Sequence, residues 1–369
     1  MRVAVIADPL DNQNAGVHVY TREMIRSMIA SNPGHELILI REKKDPKIKG
    51  VRQIGVWNTR LPIGFASLRL FILIPLILRW HRVDAVIEPA HFGPFNLPAS
   101  VKRITVIHDL TPVLFPGLHR WHSQLLQRLF LKGIMRNADL IVANSEHTKR
   151  DICNYAPEVC EKVVRIYPST AEGPVKFSEA VLKQYGIRPP YFLTVGTVEP
   201  RKNHAWILDA FEEFKSREMS NCQLVISGGR GWKSNSFFEK MENHPFRKDI
   251  VYTGFVPDEH LPSIYHFSIA MLYPSQYEGF GLPVLEAIRW GTIPVVRKNS
   301  SLPEVAGPSA FYIRGEDAIE FGKLLGELSS LNKEERLKIL RPLREFTEKF
   351  SWDNFGMELW NQLESISAK

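Results

Sequence analysis

Two acids stand on either side of a glycine turn, in the run Tyr277-Glu278-Gly279-Phe280-Gly281-Leu282-Pro283-Val284-Leu285-Glu286-Ala287. An apolar stretch, 269–273, leads in as a buried strand, and a helix leads out and stops near Trp290-Gly291. Gly279 and Gly281 let backbone approach a ligand with no Cβ in the way, and Pro283 suits a first helical position. The free N–H groups of that first turn would face a phosphate or a sugar. Glu278 belongs to the loop and Glu286 to the helix, so the two carboxylates address different parts of one ligand. A second candidate group lies in Gly196-Thr197-Val198-Glu199-Pro200-Arg201-Lys202-Asn203, where two cations at a strand-to-helix junction suit a leaving diphosphate. A third is His108 in Ile107-His108-Asp109, at the carboxyl end of an apolar strand, where ligands bind in open α/β sheets.

These residues need strands and helices in alternation to hold them. Strands are expected at 3–7, 36–40, 85–87, 104–107, 140–143 and 162–166, then at 191–195, 224–227, 250–252, 269–273 and 293–296. Prolines 168 and 174 with Gly173 mark a polar connection between the two series. The domains expected are 1–170, 171–348 and a closing helix, 349–369. Neither a Gly-x-Gly-x-x-Gly after a first strand nor a Walker lysine loop occurs, which argues against a dinucleotide enzyme or an ATPase.

With 369 residues, 44% of them hydrophobic and 24% charged, the chain has the make-up of a soluble protein of two α/β domains. Residues 1–170 hold 23 Lys+Arg against 14 Asp+Glu, and the remainder 24 against 26, so the first half carries the whole basic excess. A solvated basic face is the plain reading; an anionic membrane surface or a diphosphate-bearing acceptor would also suit it. No nucleic-acid module accompanies the charge. Residues 61–81 combine apolar residues with arginines at 69 and 79, and the apolar run 71–78 between those arginines is too short to span a bilayer. A helix packed under the sheet and kinked at Pro75 is the expectation there, an amphipathic face touching lipid the alternative. The start of the chain reads as a strand, not a signal peptide, and Cys153, Cys160 and Cys222 show no metal spacing. A reducing, cytoplasmic setting is therefore expected, with contact at the inner face of the membrane.

The string from Glu278 to Glu286 resembles the signature of retaining glycosyltransferase family four, whose members have the GT-B fold. Similarity extends to the His-Asp strand end at His108 and to the segment 142–149. It also covers the turn 196–203, with Thr197 where many relatives carry arginine, and the loop 300–307. This resemblance implies two facing Rossmann-like domains with a cleft between them and the last helix crossing back onto the first. It implies transfer of a hexosyl group from a nucleoside diphosphate sugar with retention, on one face of the sugar, without covalent intermediate, metal or other cofactor. Glu286 would hold the ribose, while Glu278 and His108 would hold the transferred sugar. Gly279, Phe280, Gly281 and Leu282 would line the donor, and Arg201 and Lys202 would neutralise the leaving group. Gly16 would approach the donor phosphates from its loop; Gly229 and Val256 would neighbour the base or diphosphate. The string 196–203 is similar to that of bacterial mannosyltransferases of surface polysaccharide assembly. GDP-mannose is accordingly the first donor expected and a UDP-hexose the second, with a glycan or lipid-linked acceptor. A GT-B epimerase or a non-catalytic nucleotide-sugar-binding module shares the same features.

Overall fold

A computed structural model describes residues 1–12, 15–56, 68–90, 97–115, 121–171, 173, 175–218, 220–313 and 315–368. The chain divides into two compact units. One comprises Met1–Pro116, Trp121–Ala171 and Phe350–Lys369; the other includes Glu172–Lys349.

In the first unit, β1 (Arg2–Ile6), β2 (Glu36–Arg41), β3 (Arg52–Gly55), β4 (Ala85–Glu88), β5 (Lys102–Ile107), β6 (Leu140–Ala143) and β7 (Val163–Arg165) form a parallel sheet in the order β3-β2-β1-β4-β5-β6-β7. Val3, Val5, Ile87, Ile104 and Val106 face one buried cluster, and Ala4, Ile6 and Val86 face another, so the central strands are covered on both sides. That is why they read as unbroken apolar runs. β3 is not foreseen in the sequence: its residues, RQIG, are a half-exposed edge segment with no apolar run to betray it.

The second unit repeats the plan with β8 (Tyr191–Val195), β9 (Gln223–Ser227), β10 (Ile250–Gly254), β11 (Ala270–Tyr273), β12 (Ile293–Arg297) and β13 (Phe311–Ile313). Their order is β10-β9-β8-β11-β12-β13, again all parallel. β13, three residues long at the sheet edge, also escapes the sequence pattern. The order reverses between β8 and β11, which pair directly through Met271 and Leu193, so the loops leaving their carboxyl ends converge.

The last helix, Trp352–Ser367, begins at Ser351, whose side chain accepts from the Asp353 N–H. It packs on the helix Ala15–Ala30. Trp360 Nε1 donates to the Met28 carbonyl at 2.9 Å, and Ser27 Oγ donates to the Trp352 carbonyl. Gly356 makes this approach possible, since a Cβ there would lie 2.7 Å from the Ser27 carbonyl oxygen.

Of residues 61–81, those numbered 61–67 lie outside the described residues. The rest forms a π-helical turn, Arg69–Leu73, followed by the α-helix Ile74–Trp80. In the wide turn the Ile74 N–H reaches back to the Arg69 carbonyl, immediately before Pro75, which has no N–H to give. Ile74, Pro75 and Leu78 are buried, and Arg69 is anchored to Asp8, Nη2 to Oδ1 at 2.7 Å. Leu68, Ile72, Leu76 and Trp80, four residues apart, are exposed, Trp80 to 85%. The expectation of a helix simply buried under the sheet is thus corrected: one face is buried, and the other is an apolar stripe on the surface.

Cys153 and Cys160 are joined in a disulfide across seven residues, and Cys222 is buried and free. The reducing setting expected from the sequence does not foresee this pair. Among the described residues no helix is long and apolar enough to cross a membrane.

Candidate functional site

At the carboxyl end of β8 the chain turns through Gly196, at φ +134°, and a short 3-10 turn, Pro200–Lys202, before Asn203 caps the helix His204–Arg217 in the left-handed region. At the end of β11 it runs through Tyr277 and Glu278 to Gly281, the N-cap of the helix Leu282–Arg289, at φ +107°. A side chain at Gly281 would be strained by that φ and would press on Leu302 at 3.1 Å. Leu282 opens the helix and Pro283 follows it, one position later than expected.

These two loops bring four charges together. Arg201 Nη1 lies 2.9 Å from Glu278 Oε2, and Lys202 Nζ lies 2.6 Å from Glu278 Oε1. Arg201 also donates twice to Glu199 Oε1, from Nη2 at 2.6 Å and Nε at 3.0 Å. Lys202 further donates to the Tyr273 hydroxyl. Burial would raise the Glu278 carboxyl, but the Arg201 and Lys202 charges, with hydrogen bonds from Lys202 and Ser275, overcome it and hold the group at about 2. Burial wins at the partners: it raises Glu199 and lowers Lys202. The loops are also stitched through backbone, with Gln276 N–H on the Arg201 carbonyl at 2.8 Å.

A third loop, after β12, braces the turn. Ser300, at φ +46°, accepts the Glu278 N–H at 3.0 Å, and Ser301 Oγ reaches the carbonyls of Glu278 at 2.9 Å and Phe280 at 2.7 Å. The Phe280 side chain is buried, and its carbonyl is the one Ser301 holds. The cations therefore do not stand as a bare anion site, as their sequence position suggests. Glu278 and Glu199 already balance them, which removes the cost of two cations near the start of a helix.

Glu286 stands apart on the helix. Its Oε2 accepts from the buried Tyr265 hydroxyl at 3.0 Å, and burial pushes its carboxyl up to about 7 against that hydrogen bond, with the Asp258 charge adding to the rise. Two further sequence candidates follow β9 and β10. Gly229 has open space around it; the tight position is its neighbour Gly228, at φ +150°, where a Cβ would collide with the Gly196 carbonyl. Val256 is buried, so its side chain faces the core while Phe255 is exposed.

Gly16 and His108 belong to the first unit. Gly16 is in the first turn of the helix Ala15–Ala30 instead of the preceding loop, and a Cβ there would meet nothing within 4 Å. His108 Nε2 pairs with the Pro89 carbonyl at 2.7 Å, not with Asp109, which instead accepts the Thr111 N–H. A carbonyl only accepts, so Nε2 carries the proton and Nδ1 is left as an acceptor. Burial lowers the His108 pKa and keeps the ring neutral, with its edge against Tyr20 at 4.7 Å. Glu199, Tyr273, Tyr265 and Ser300 were missed as site residues. Glu199 and Ser300 stood inside strings already singled out, but nothing in their type told them from surface polar residues.

Residues 178–340 match the family model described as glycosyl transferases group 1, and residues 14–170 match that described as Glycosyltransferase Family 4. This chain is a GT-B glycosyltransferase. Among its relatives is the O-antigen chain mannosyltransferase B of Escherichia coli, 27% identical over 96% of this chain and 97% of the relative. Similar solved structures include sucrose-phosphate synthase from Thermosynechococcus elongatus, with a TM-score of 0.76 at 16% identity over 100% of this chain and 99% of that one. WaaG, a glycosyltransferase involved in lipopolysaccharide biosynthesis, superposes with a TM-score of 0.72 at 14% identity over 97% and 98%. In the glycosyltransferase the four-charge cluster thus occupies the carboxyl ends of β8 and β11, where the strand order of the second unit reverses.

Proposed function

We propose that this glycosyltransferase moves a hexose, with mannose favoured, from a nucleoside diphosphate sugar to a glycan or lipid-linked acceptor in surface polysaccharide synthesis, retaining the anomeric configuration. The observation that carries the proposal is the cluster of Arg201, Lys202, Glu278 and Glu199. It is neutral at rest, so a diphosphate that takes over Arg201 and Lys202 releases the Glu278 carboxylate, and that carboxylate can then accept hydrogen bonds from hydroxyls of the transferred sugar. Glu286, displaced along the helix, accepts from the ribose. The acceptor oxygen bonds to the anomeric carbon on the face the diphosphate leaves, the bonding pair of the C–O bond passes to the phosphate, and a phosphate oxygen takes the acceptor proton. The two cations meet the developing charge directly, and the reaction is assigned no metal or other cofactor.

GDP-mannose as donor rests on the mannosyltransferase relative, with a UDP-hexose second, and a lipopolysaccharide-type acceptor on that relative and on WaaG. Work at the inner face of the membrane is supported by the stripe Leu68, Ile72, Leu76 and Trp80, beside exposed Arg79 and Arg82 and with no acid in residues 68–83. Incubation with GDP-mannose or UDP-glucose, plus a lipid-linked oligosaccharide, and NMR of the product linkage tests the reading. Transfer with retention that persists in EDTA is expected; donor epimerisation alone, or tight donor binding with no transfer to any acceptor, would refute it. Flotation with anionic and neutral vesicles tests the surface: binding to anionic vesicles should fall with Leu76→Glu, and equal recovery of both forms would remove the membrane contact.

A further inference from the structure

Tyr265 lies in the helix Leu261–His266, fully buried. Its ring packs against Trp290 with centroids 5.0 Å apart. Its carbonyl accepts from Ser268 Oγ at 2.7 Å and from Thr292 Oγ1, so the residue is fixed at both ends. The hydroxyl has one partner among the described residues, Glu286 Oε2 at 3.0 Å. Glu286 Oε1 has none among them, although the residue is partly open to solvent.

We infer that Tyr265 is a positioning residue for the donor nucleotide: its hydroxyl holds one oxygen of Glu286 and leaves the other aimed at a vicinal diol. This rests on the reading of Glu286 as the ribose contact. A diol donates two hydrogen bonds, which an ionised carboxylate held in one orientation accepts more strongly than a neutral acid. A buried phenol cannot give up its proton, since burial and the neighbouring Glu286 charge raise it well above its ordinary range; it can therefore only donate to the carboxylate. The groups that face Glu286 are Tyr265 from its helix and Asp258 from the loop after β10. Burial and Asp258 favour the protonated acid, and the Tyr265 hydrogen bond opposes them. Without the hydroxyl, the carboxylate forms only at higher pH and rotates freely.

Calorimetric titration of GDP and UDP into the full chain from pH 6 to pH 9 tests this, with Tyr265→Phe, Asp258→Asn and Glu286→Ala alongside. Tyr265→Phe should weaken the tighter nucleotide about three- to tenfold at pH 7, with the loss shrinking toward pH 9. Asp258→Asn should move the midpoint of the pH profile down, and Glu286→Ala should weaken binding at every pH and flatten the profile. A Tyr265→Phe profile that overlays the wild type, or that is lower by the same factor throughout, overturns the positioning role while Glu286→Ala still weakens binding. An unchanged Glu286→Ala overturns the ribose reading itself. Should Tyr265→Phe fail to fold, an unmoved Asp258→Asn midpoint decides against the inference.

Discussion

Replacing Glu278 with Gln keeps the shape of the turn and removes one of the two negative charges that balance Arg201 and Lys202. The carboxyl is held at about 2 against an ordinary 4.5, and each unit corresponds to 1.36 kcal/mol, so its ionised form contributes about 3 kcal/mol to folding. Breaking a buried ion pair from one side costs roughly 3–5 kcal/mol, the same size. Because the folded-state pKa is depressed, this stabilisation is fully present above about pH 4.5 and is lost as pH falls toward 2. For a unit of this length, about 3 kcal/mol lowers the melting temperature by roughly 6–12 °C. Glu278→Gln should therefore melt that much lower at pH 7 by calorimetry, and the gap should close near pH 2 to 3. The double variant Lys202→Met with Glu278→Gln should recover part of the loss, since one charge of each sign has gone. Inorganic pyrophosphate should raise the melting temperature of Glu278→Gln more than that of the wild type, because two cations are then left with one counter-charge. A single variant that melts within about 2 °C of wild type at pH 7 would refute the claim that the cluster is balanced in the folded state.

Three further outcomes are expected. Arg201→Ala should lower kcat by more than about tenfold with a small change in donor KM, whereas Glu286→Ala should chiefly raise donor KM; steady-state kinetics at several donor concentrations separates them. Gly356→Ala should destabilise the first unit by about 1–3 kcal/mol, because the added methyl meets the Ser27 backbone, and denaturant titration reads this directly. Gly228→Ala should cost more than Gly229→Ala in a paired thermal melt, since the methyl at 228 strikes the Gly196 carbonyl and that at 229 meets open space.

The sequence made the strands at the centre of each sheet legible because they are covered on both faces and stay apolar throughout. It hid β3 and β13, which are short, lie at sheet edges and bury little. Glu278, Glu286, Arg201 and Lys202 stood out by type beside glycine and proline at strand ends, and the pairing of β8 with β11 brings three of them within bonding distance. Sequence could not show that the cations are already neutralised, since Glu199 and Glu278 meet them only after two distant loops fold together. Tyr265 is invisible for a related reason: it lies 21 positions before Glu286, and an aromatic residue in a short, mostly buried helix reads as core. The stripe at Leu68, Ile72, Leu76 and Trp80 carried a helical period, but periodicity does not say which face other elements cover.

Because Phe350–Lys369 belongs to the same compact unit as Met1–Pro116, that unit is built from segments far apart in the sequence. A ribosome must therefore translate past Leu363 before Trp352, Phe355, Leu359, Trp360 and Leu363 can close the apolar cluster over Tyr20, Met24 and Met28, whereas the contiguous segment Glu172–Lys349 is available to fold sooner. Nascent chains halted before residue 350 would display an open hydrophobic seam, a ready target for chaperones and proteases, so this protein's yield in the cell should depend on how soon residues 352–363 close it.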